Sequence, residues 1–358
     1  VALTSPIAGT TTDPVFKPME LLPLGPVVFN DTAGLDDVSE LGELRVKKTM
    51  AQLDACDAAI LVLNSKTARV ADFENYVKFF IEKQIQLLIV VNKFEGNRLN
   101  FDVSKSGFPI VQVDLMAENS AEILKKALII AFQDKVESSG LTNDLVKSGD
   151  IVLLVMPQDI QAPKGRLILP QVQVTRDLLD NGCMVISVTA NAVKSALNSL
   201  KEKPSIVITD SQIFKQVNEQ LPSDIKLTSF SMLMAKNKGD ILQFIDGARA
   251  IDRLCDGDKV LIIESCSHHS LEGDIARTKL PNLLKKYTGK ALEITNISGQ
   301  KFPENLSEYK LAIHCGGCMI NKKTMLSKQE NFAKSYIPLT NFGVAIAYMN
   351  GIIDRVCY

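Results

Sequence analysis

The sequence contains no tryptophan, only three histidines and no apolar run long enough to cross a bilayer. Its formal net charge is −1, so it lacks the basic surface that binding to nucleic acid or to an anionic membrane requires. No segment has the features of a secretory signal peptide. These absences predict a cytoplasmic enzyme or scaffold with neither a nucleic-acid nor a membrane partner.

Cysteine is also scarce, and its number is odd: there are seven in 358 residues. An odd count in a chain of this length argues against a disulfide framework and for a reducing compartment. Four cysteines that stand apart from any histidine are interpreted as small buried hydrophobic residues: they are Cys56, Cys183, Cys255 and Cys357. The other three lie beside the histidines.

All the histidines fall in two short clusters, Cys266-Ser-His268-His269 and His314-Cys315-Gly-Gly-Cys318. Thiolate and imidazole are the ligands that zinc and iron–sulfur clusters require. The two glycines let the backbone of the second cluster fold around a bulky inorganic group. A redox-active thiol pair or plain buried thiols would explain a Cys-x-x-Cys motif alone. The clustering of every histidine with cysteine favours a metal site.

The spacing leaves the identity of the metal open. A closed tetrahedral zinc site would use four of these side chains: Cys266, His268, Cys315 and Cys318. A 4Fe–4S cluster would use the three cysteines and leave its fourth iron to a weaker ligand or to solvent. Glu272 and Asp274 are alternatives for that fourth position, and are otherwise ordinary surface carboxylates.

Apolar segments precede both clusters. Lys259–Glu264 is predicted to be a buried strand that ends just before Cys266, and 309–313 a second strand that ends just before His314. Open α/β sheets bind their ligands at the carboxyl ends of strands. The sequence therefore predicts that the two clusters meet at one edge of a sheet, in a site that presents a bound group.

The first part of the chain carries a different chemistry. Asp31-Thr-Ala-Gly34 and Asn92-Lys93-Phe-Glu95 each follow an apolar strand and resemble the third and fourth motifs of P-loop GTPases. The resemblance implies that Asp31 holds Mg²⁺ through water and that the Gly34 amide contacts the γ-phosphate. It also implies a guanine site at Asn92, Lys93 and Glu95, in which Glu95 is one methylene longer than the usual aspartate.

Upstream, the segment Ser5-Pro-Ile7-Ala-Gly-Thr10-Thr11-Thr-Asp resembles the switch I loop of the potassium-dependent GTPases that include the tRNA-modifying enzyme MnmE. The resemblance implies that Thr11 coordinates Mg²⁺ and that the loop around Ser5, Ile7 and Thr10 wraps K⁺. Catalysis would then be phosphoryl transfer from GTP to water, with Thr11, Asp31 and Gly34 as the catalytic residues.

One GTPase motif is missing. The phosphate loop, G-x-x-x-x-G-K-[ST], occurs nowhere in the sequence, although a GTPase needs a strand, that loop and a helix before switch I. The chain opens on Val1 instead of methionine. We therefore expect that its first segment has been truncated or omitted.

A GTPase joined to these two cysteine clusters resembles the HydF family, the GTPase scaffolds of FeFe-hydrogenase maturation, whose signature is C-x-H, a long gap and H-C-x-x-C. Two further segments are similar to the family: 162–171 and 338–344. The resemblance implies a 4Fe–4S cluster on Cys266, Cys315 and Cys318, with His268 and His314 as further candidate ligands. It also implies transfer of a di-iron subcluster to apo-hydrogenase, and radical-SAM maturases as additional partners.

Alternating apolar strands and helical patterns predict an α/β fold of three domains with mainly parallel sheets. They are a P-loop GTPase domain at 1–137 that lacks its first strand and phosphate loop in this chain, a dimerisation domain at 140–235 and a 4Fe–4S domain at 236–358. Strands are expected at 150–155, 183–188, 205–208 and 226–230. Helices are expected at 119–133, 172–179, 192–200, 213–221 and 239–254, and a polar linker at 137–144.

The middle domain carries no recognised chemistry, so it is interpreted as a surface for a homodimer or a higher oligomer. The alternative function, from another class, is a regulatory GTP-binding protein that is stabilised by structural zinc and carries no metal cargo. Colour and stoichiometric metal content after anaerobic reconstitution separate the two.

Overall fold

The structure is a computed structural model that describes residues 15–32, 49, 52–53, 56–93, 97–133, 140–158, 165, 167–265, 275–298, 303, 305–318 and 320–358. The chain divides into two compact units, residues 1–138 and 139–358. Within the described residues, no helix combines the length and the apolar character needed to cross a membrane.

The first unit contains an antiparallel hairpin and a parallel sheet. The hairpin consists of β1 (Val15–Leu21) and β2 (Gly25–Asp31). The sheet consists of β3 (Ala58–Asn64), β4 (Gln86–Asn92) and β5 (Ile110–Val113), with β4 in the centre. Two helices with described bounds belong to this unit, α1 (Val70–Glu82) and α2 (Ser120–Phe132).

Strand β4 is buried on both faces, as its continuous apolar sequence predicts. Leu87 and Ile89 belong to the same cluster as Phe73 and Phe80 of α1. Leu88 and Val90, which alternate with them, belong to a second cluster that includes residues of α2 and of the hairpin. Alternate side chains of β4 therefore pack into different clusters, one on each face of the sheet.

The second unit contains two parallel four-stranded sheets. The first has the order β7-β6-β8-β9 and consists of β6 (Ile151–Val155), β7 (Met184–Val188), β8 (Ile206–Thr209) and β9 (Lys226–Ser229). Its helices are α3 (Leu169–Asp180), α4 (Val193–Ser199), α5 (Phe214–Asn218) and α6 (Phe230–Lys238).

The second sheet has the order β11-β10-β12-β13 and consists of β10 (Lys259–Glu264), β11 (Glu293–Ser298), β12 (Tyr309–His314) and β13 (Leu339–Asn341). Its helices are α7 (Ile241–Arg249), α8 (Leu280–Thr288), α9 (Lys322–Lys334) and α10 (Phe342–Met349). One hydrophobic cluster joins the two sheets: it includes Val155 and Val207 of the first and Ile262 and Ile313 of the second.

The α/β fold with mainly parallel sheets is confirmed, and the expected strands and helices lie within a few residues of their predicted bounds. The helix predicted at 239–254 begins later, because the Asp240 side chain accepts hydrogen bonds from the amides of Leu242 and Gln243 and so caps α7. The predicted border between 235 and 236 falls within α6 and remains a prediction.

The linker prediction is wrong for residues 140–144. Thr142 is fully buried, and both its amide and its hydroxyl donate hydrogen bonds to the Asp177 carboxylate of α3. The Leu141 amide donates to the same carboxylate. The polar composition of these residues is typical of a linker, but the structure shows a turn that is anchored to α3. The Asp177 carboxylate accepts the hydrogen bonds of the Leu141 and Thr142 amides and of the Thr142 hydroxyl. Residues 137–139 lie outside the described part of the chain.

Candidate functional site

The strands that lead to the two cysteine clusters are adjacent and parallel. Ile263 of β10 pairs with His314 of β12, and the Cys315 amide extends the ladder by donating to the Ile263 carbonyl at 2.8 Å. The carboxyl ends of the two strands therefore lie side by side. The two strands that the sequence predicts to lead into the clusters are therefore adjacent, while Cys266 itself lies outside the described part of the chain, so the predicted meeting of the clusters stays a prediction.

The Cys315–Cys318 segment is a tight loop in which Gly317 is needed for the backbone conformation. Gly317 has φ +62°, and a Cβ atom there would lie 2.6 Å from the Met325 Cε atom. Both cysteines are of intermediate exposure. The loop thus brings two accessible thiols onto one turn, as a thiolate-bound metal group requires.

The remaining cysteines differ from one another. Cys183 is buried as predicted, and its burial raises the pKa of its thiol. Cys56 and Cys357 are only partly buried. The prediction for Cys255 is wrong: this residue is exposed, because it lies in the turn before β10 where its amide donates to the Asp258 carboxylate.

The sulfur of Cys315 already has a donor. The Ser265 amide donates a hydrogen bond to Cys315 Sγ at 3.3 Å. An N–H···S bond of this kind fixes the position of the sulfur, as the contacts around a metal ligand do. Ser265 therefore supports Cys315 through its backbone, whatever its side chain.

His314 is fully buried, and protein groups contact both of its ring nitrogens. Nδ1 lies 2.7 Å from the Cys315 carbonyl oxygen, which can only accept, so Nδ1 carries the proton. Nε2 lies 3.2 Å from both Lys328 Nζ and Ser265 Oγ. Burial, followed by the Lys328 charge, lowers the pKa of His314 to about 4, so its ring is neutral. A ligand role for His314 would require Nε2 to exchange these two partners for the metal.

Two lysines also contact this site. Lys238 of α6 donates to the carbonyl oxygens of Gly317, Cys318 and Ile320, at 2.7, 3.0 and 2.7 Å. Burial lowers the pKa of Lys238, while the nearby Cys318 and Cys315 act to raise it. Lys328 of α9 is 4% exposed, and burial likewise lowers its pKa. Sequence reasoning missed both residues.

The described residues supply only part of the predicted metal site. Cys266 and His268, like His269, Glu272 and Asp274, lie outside them, and within the described part of the chain no group of three or more potential ligands is placed to hold a metal ion. The donors that are described suit a thiolate-bound metal group, because two thiols on one turn are combined with an N–H···S bond and nearby ammonium groups.

The candidate nucleotide site lies at the carboxyl ends of β3, β4 and β5. Asn92 is the last residue of β4, and its Oδ1 accepts from the Leu115 amide at 3.1 Å. The Asn92 carbonyl accepts from the Ser65 amide at 3.1 Å, and the Lys93 amide donates to the Val113 carbonyl at 2.9 Å. Asn92 therefore ties three strand ends together at the edge where α/β sheets bind ligands.

Asp31 ends β2 and is exposed to solvent. The other predicted GTPase residues lie outside the described part of the chain: they are Ser5, Ile7, Thr10, Thr11, Gly34 and Glu95. Sequence reasoning missed the loop after β5, where Leu115 contacts Asn92. The sequence feature that could have indicated this loop is the mostly apolar strand β5 followed directly by Asp114.

Comparisons with known proteins agree with this arrangement. Residues 1–93 match the family model of the 50S ribosome-binding GTPase, 141–239 the hydrogen maturase F dimerization domain, and 242–358 the hydrogen maturase F tetramerization domain. The chain is therefore a GTPase-domain protein with two self-association domains. It belongs to the hydrogen maturase F, or HydF, family. The tetramerization domain was not anticipated as an assembly domain from the sequence.

Two curated relatives are similar to part of the chain. The tRNA modification GTPase MnmE of Haemophilus influenzae is 23% identical over 190 residues, which cover 50% of this chain and 42% of that protein. MnmE of Exiguobacterium sibiricum is 27% identical over 148 residues, which cover 39% of this chain and 31% of that protein. The chain thus spans less than half the length of these relatives.

Proposed function

We propose that this chain is the GTP-hydrolysing scaffold of FeFe-hydrogenase maturation. It binds a 4Fe–4S cluster, receives the di-iron subcluster and transfers it to the apo-hydrogenase. Membership of the HydF family and the presence of a GTPase domain support this function. Its partners would be the apo-hydrogenase and the radical-SAM maturases, and its place of action the cytoplasm.

The observation that carries the proposal is the position of the Cys315–Cys318 loop. This loop begins where β12 ends, beside the end of β10, so that the Ser265 amide reaches Cys315 Sγ. Cys266 is the next residue after Ser265 in the sequence. We propose that Cys266, Cys315 and Cys318 hold the cluster, because three thiolates are enough to retain it and leave one iron for exchange.

His268 and His314 are weaker candidates for the remaining position. Neutral imidazole is a poorer ligand for an iron–sulfur cluster than thiolate is. In addition, His314 Nε2 already faces Lys328 and Ser265. We therefore expect the histidines to contribute less to cluster retention than the cysteines do.

In the GTPase domain, we propose that Thr11 and Asp31 bind Mg²⁺ and that Gly34 contacts the γ-phosphate. Asn92, Lys93 and Glu95 would bind the guanine base, and the loop that contains Ser5 and Thr10 would hold K⁺. The described anchor of this site is the hydrogen bond between Asn92 Oδ1 and the Leu115 amide. Hydrolysis would be slow and stimulated by K⁺.

The proposed domain borders are 1–137 for the GTPase domain, 140–235 for dimerisation and 236–358 for the cluster. The family matches support a homodimer or a higher oligomer. A symmetric dimer would hold two cluster sites at a fixed distance.

Anaerobic reconstitution with iron and sulfide tests the function directly. We expect a brown protein with sulfur-to-iron charge-transfer absorption and an electron paramagnetic resonance signal after reduction. A colourless protein that retains stoichiometric zinc would instead identify the alternative, a regulatory GTP-binding protein with a structural zinc site. Transfer of the di-iron subcluster is tested by mixing the loaded protein with apo-hydrogenase and measuring hydrogen evolution.

A further inference from the structure

Two lysine side chains from different helices converge on the Cys315–Cys318 loop. Lys238 is the last residue of α6 and lies within the region that matches the dimerization domain, whereas the loop lies in the region that matches the tetramerization domain. Lys328 lies on α9, which follows the loop. Lys238 therefore contacts the loop directly, whereas Lys328 contacts His314, the residue that precedes it.

Lys238 donates to two backbone carbonyls of the loop and to a third, of Ile320, just beyond it. Its ammonium group has three N–H donors, and it lies within 3.0 Å of the carbonyl oxygens of Gly317, Cys318 and Ile320. Three carbonyl acceptors at these distances match the three N–H donors of a lysine ammonium group. The same contacts turn the carbonyl oxygens toward Lys238 and fix the path of the backbone on either side of Cys318.

Lys328 acts on the other cysteine through His314. Its Nζ lies 3.2 Å from His314 Nε2, and His314 Nδ1 donates to the Cys315 carbonyl at 2.7 Å. Lys328 is 4% exposed and His314 is fully buried, so solvent screens neither contact strongly. Two hydrogen bonds thus link a buried lysine to the backbone of Cys315.

We propose that Lys238 and Lys328 are positioning residues of the metal centre, which fix the Cys315–Cys318 loop and place two positive charges beside its thiolates. A cluster bound by thiolates carries net negative charge, and reduction adds another electron. A nearby cation stabilises the reduced form more than the oxidised form and so raises the reduction potential. Lys238 would also connect the dimerization region to the metal centre. This inference rests on the proposed function.

The test uses the full chain, reconstituted anaerobically with iron and sulfide, and the variants Lys238→Met, Lys238→Gln and Lys328→Met. Lys236→Met and Lys334→Met are matched controls on the same helices, because these lysines form ion pairs with Asp144 and Glu330 away from the loop. The measurements are iron per protein, the midpoint potential from a redox titration followed by electron paramagnetic resonance, and thermal unfolding of the apo-protein.

We expect Lys238→Met and Lys328→Met to retain less than half of the iron of the wild type, and the cluster that remains to have a lower midpoint potential. Lys238→Gln keeps N–H donors but removes the charge, so it should retain more iron than Lys238→Met while its potential still falls. The two control variants should match the wild type in both measurements.

The outcomes distinguish this inference from the proposed function. If the wild type takes up no iron–sulfur cluster, the proposed function fails. If the wild type is loaded and the three variants keep its iron content and its potential, the lysine assignment is overturned. Should Lys238→Met fail to fold, Lys238→Arg decides: the charge is kept, so a potential equal to that of the wild type is expected, and a potential as low as that of Lys238→Gln overturns the proposal.

Discussion

Ser265 and Cys315 are joined by a hydrogen bond from the backbone amide of one to the sulfur of the other, 3.3 Å long, across the ends of two adjacent parallel strands. The donor is a main-chain group, so the register of β10 and β12 creates the contact, whatever the side chain at position 265. The sheet itself therefore fixes the position of the Cys315 sulfur at this edge.

The first prediction concerns the thiolates. Cys315→Ala and Cys318→Ala should each lower the iron retained after anaerobic reconstitution at least several-fold, because two thiolates are too few to hold the cluster. Cys266→Ala should do the same. Iron per protein and absorption spectra provide the measurement. Cys183→Ala is the control, since Cys183 is buried in a separate hydrophobic cluster, and a Cys315→Ala variant with a full cluster would contradict the assignment.

The strands that lead into the metal site could be predicted from the sequence, because their apolar runs are continuous. Val260 to Ile263 are fully buried on both faces, and such segments have few alternatives to a central parallel strand. Strand β11 was missed because four of the six residues of Glu293–Ser298 are polar and the strand lies at an edge of its sheet. Of the hairpin, strand β1 was missed because Pro18 interrupts it, and proline is tolerated only in edge strands.

The candidate site was predictable only in part, for a related reason. Cysteine spacing identifies Cys315 and Cys318 because the ligands lie on one loop. Lys238 reaches the same loop from 79 residues away in the sequence, and a lysine at the end of a helix is usually a solvated side chain. Long-range contacts of this kind depend on the packing of α6 against α9 and α10, which no local pattern encodes.

The second prediction concerns the loop itself. Gly317→Ala should destabilise the protein by about 1–2 kcal/mol and reduce iron uptake, because φ is +62° and the new Cβ would lie 2.6 Å from Met325 Cε. Gly316→Ala is the matched control: no atom lies within 4 Å of its Cβ position. Denaturant unfolding of both apo-proteins is the measurement, and equal stability of the two would show that the loop adapts without cost.

The third prediction concerns the nucleotide. In the full-length protein, GTP hydrolysis should be faster in K⁺ than in Na⁺, because the loop around Ser5 and Thr10 is expected to hold a potassium ion beside the phosphates. Asp31→Ala and Thr11→Ala should each lower the rate at least tenfold through lost Mg²⁺ coordination. Phosphate release gives the rate. Equal rates in the two salts would contradict the binding of K⁺ by this loop. If ATP competed as well as GTP, the site that contains Glu95 would not be selective for guanine.

The fourth prediction concerns alkaline stability. The hydroxyls of Tyr287 and Tyr348 both donate to the Asp252 carboxylate, and this hydrogen bond, with burial, raises the pKa of Tyr348 to about 12. A phenol has a pKa of about 10 when unfolded, so the folded state favours the protonated form. Its contribution to stability is complete below about pH 10 and is lost as the pH rises toward 12.

Tyr348→Phe should therefore lower the free energy of unfolding by about 1 kcal/mol near neutral pH, a value reduced for the solvent exposure of Asp252. The variant should also lose less stability than the wild type between pH 10 and 12. Urea unfolding across this range is the measurement. Tyr336→Phe is the control, because the Tyr336 side chain is 94% exposed. Parallel pH profiles for wild type and Tyr348→Phe would contradict the linkage.

The last prediction concerns self-association. Strand β7 is an edge of its sheet, and Met184 on this strand is 54% exposed. Helix α3 packs beside β7 and exposes Leu169, Val172 and Leu179. An exposed edge with apolar neighbours is a surface that a second copy can cover. The double substitution Val172→Glu and Met184→Glu should therefore dissociate the dimer, since each buried carboxylate would have to be desolvated without a partner.

Light scattering at micromolar concentration measures this on the full chain. The wild type should be a dimer or a higher oligomer, and the double variant should lose the mass of one association step while it keeps its helical circular dichroism. Ile130→Glu is the control, because Ile130 of α2 is 69% exposed and lies outside the region that matches the dimerization domain. An unchanged mass for the double variant would show that the dimer contact lies on another face of residues 141–239. A second test expresses 140–235 alone: a dimer there would show that these residues are sufficient for association, because no other part of the chain could supply the contact.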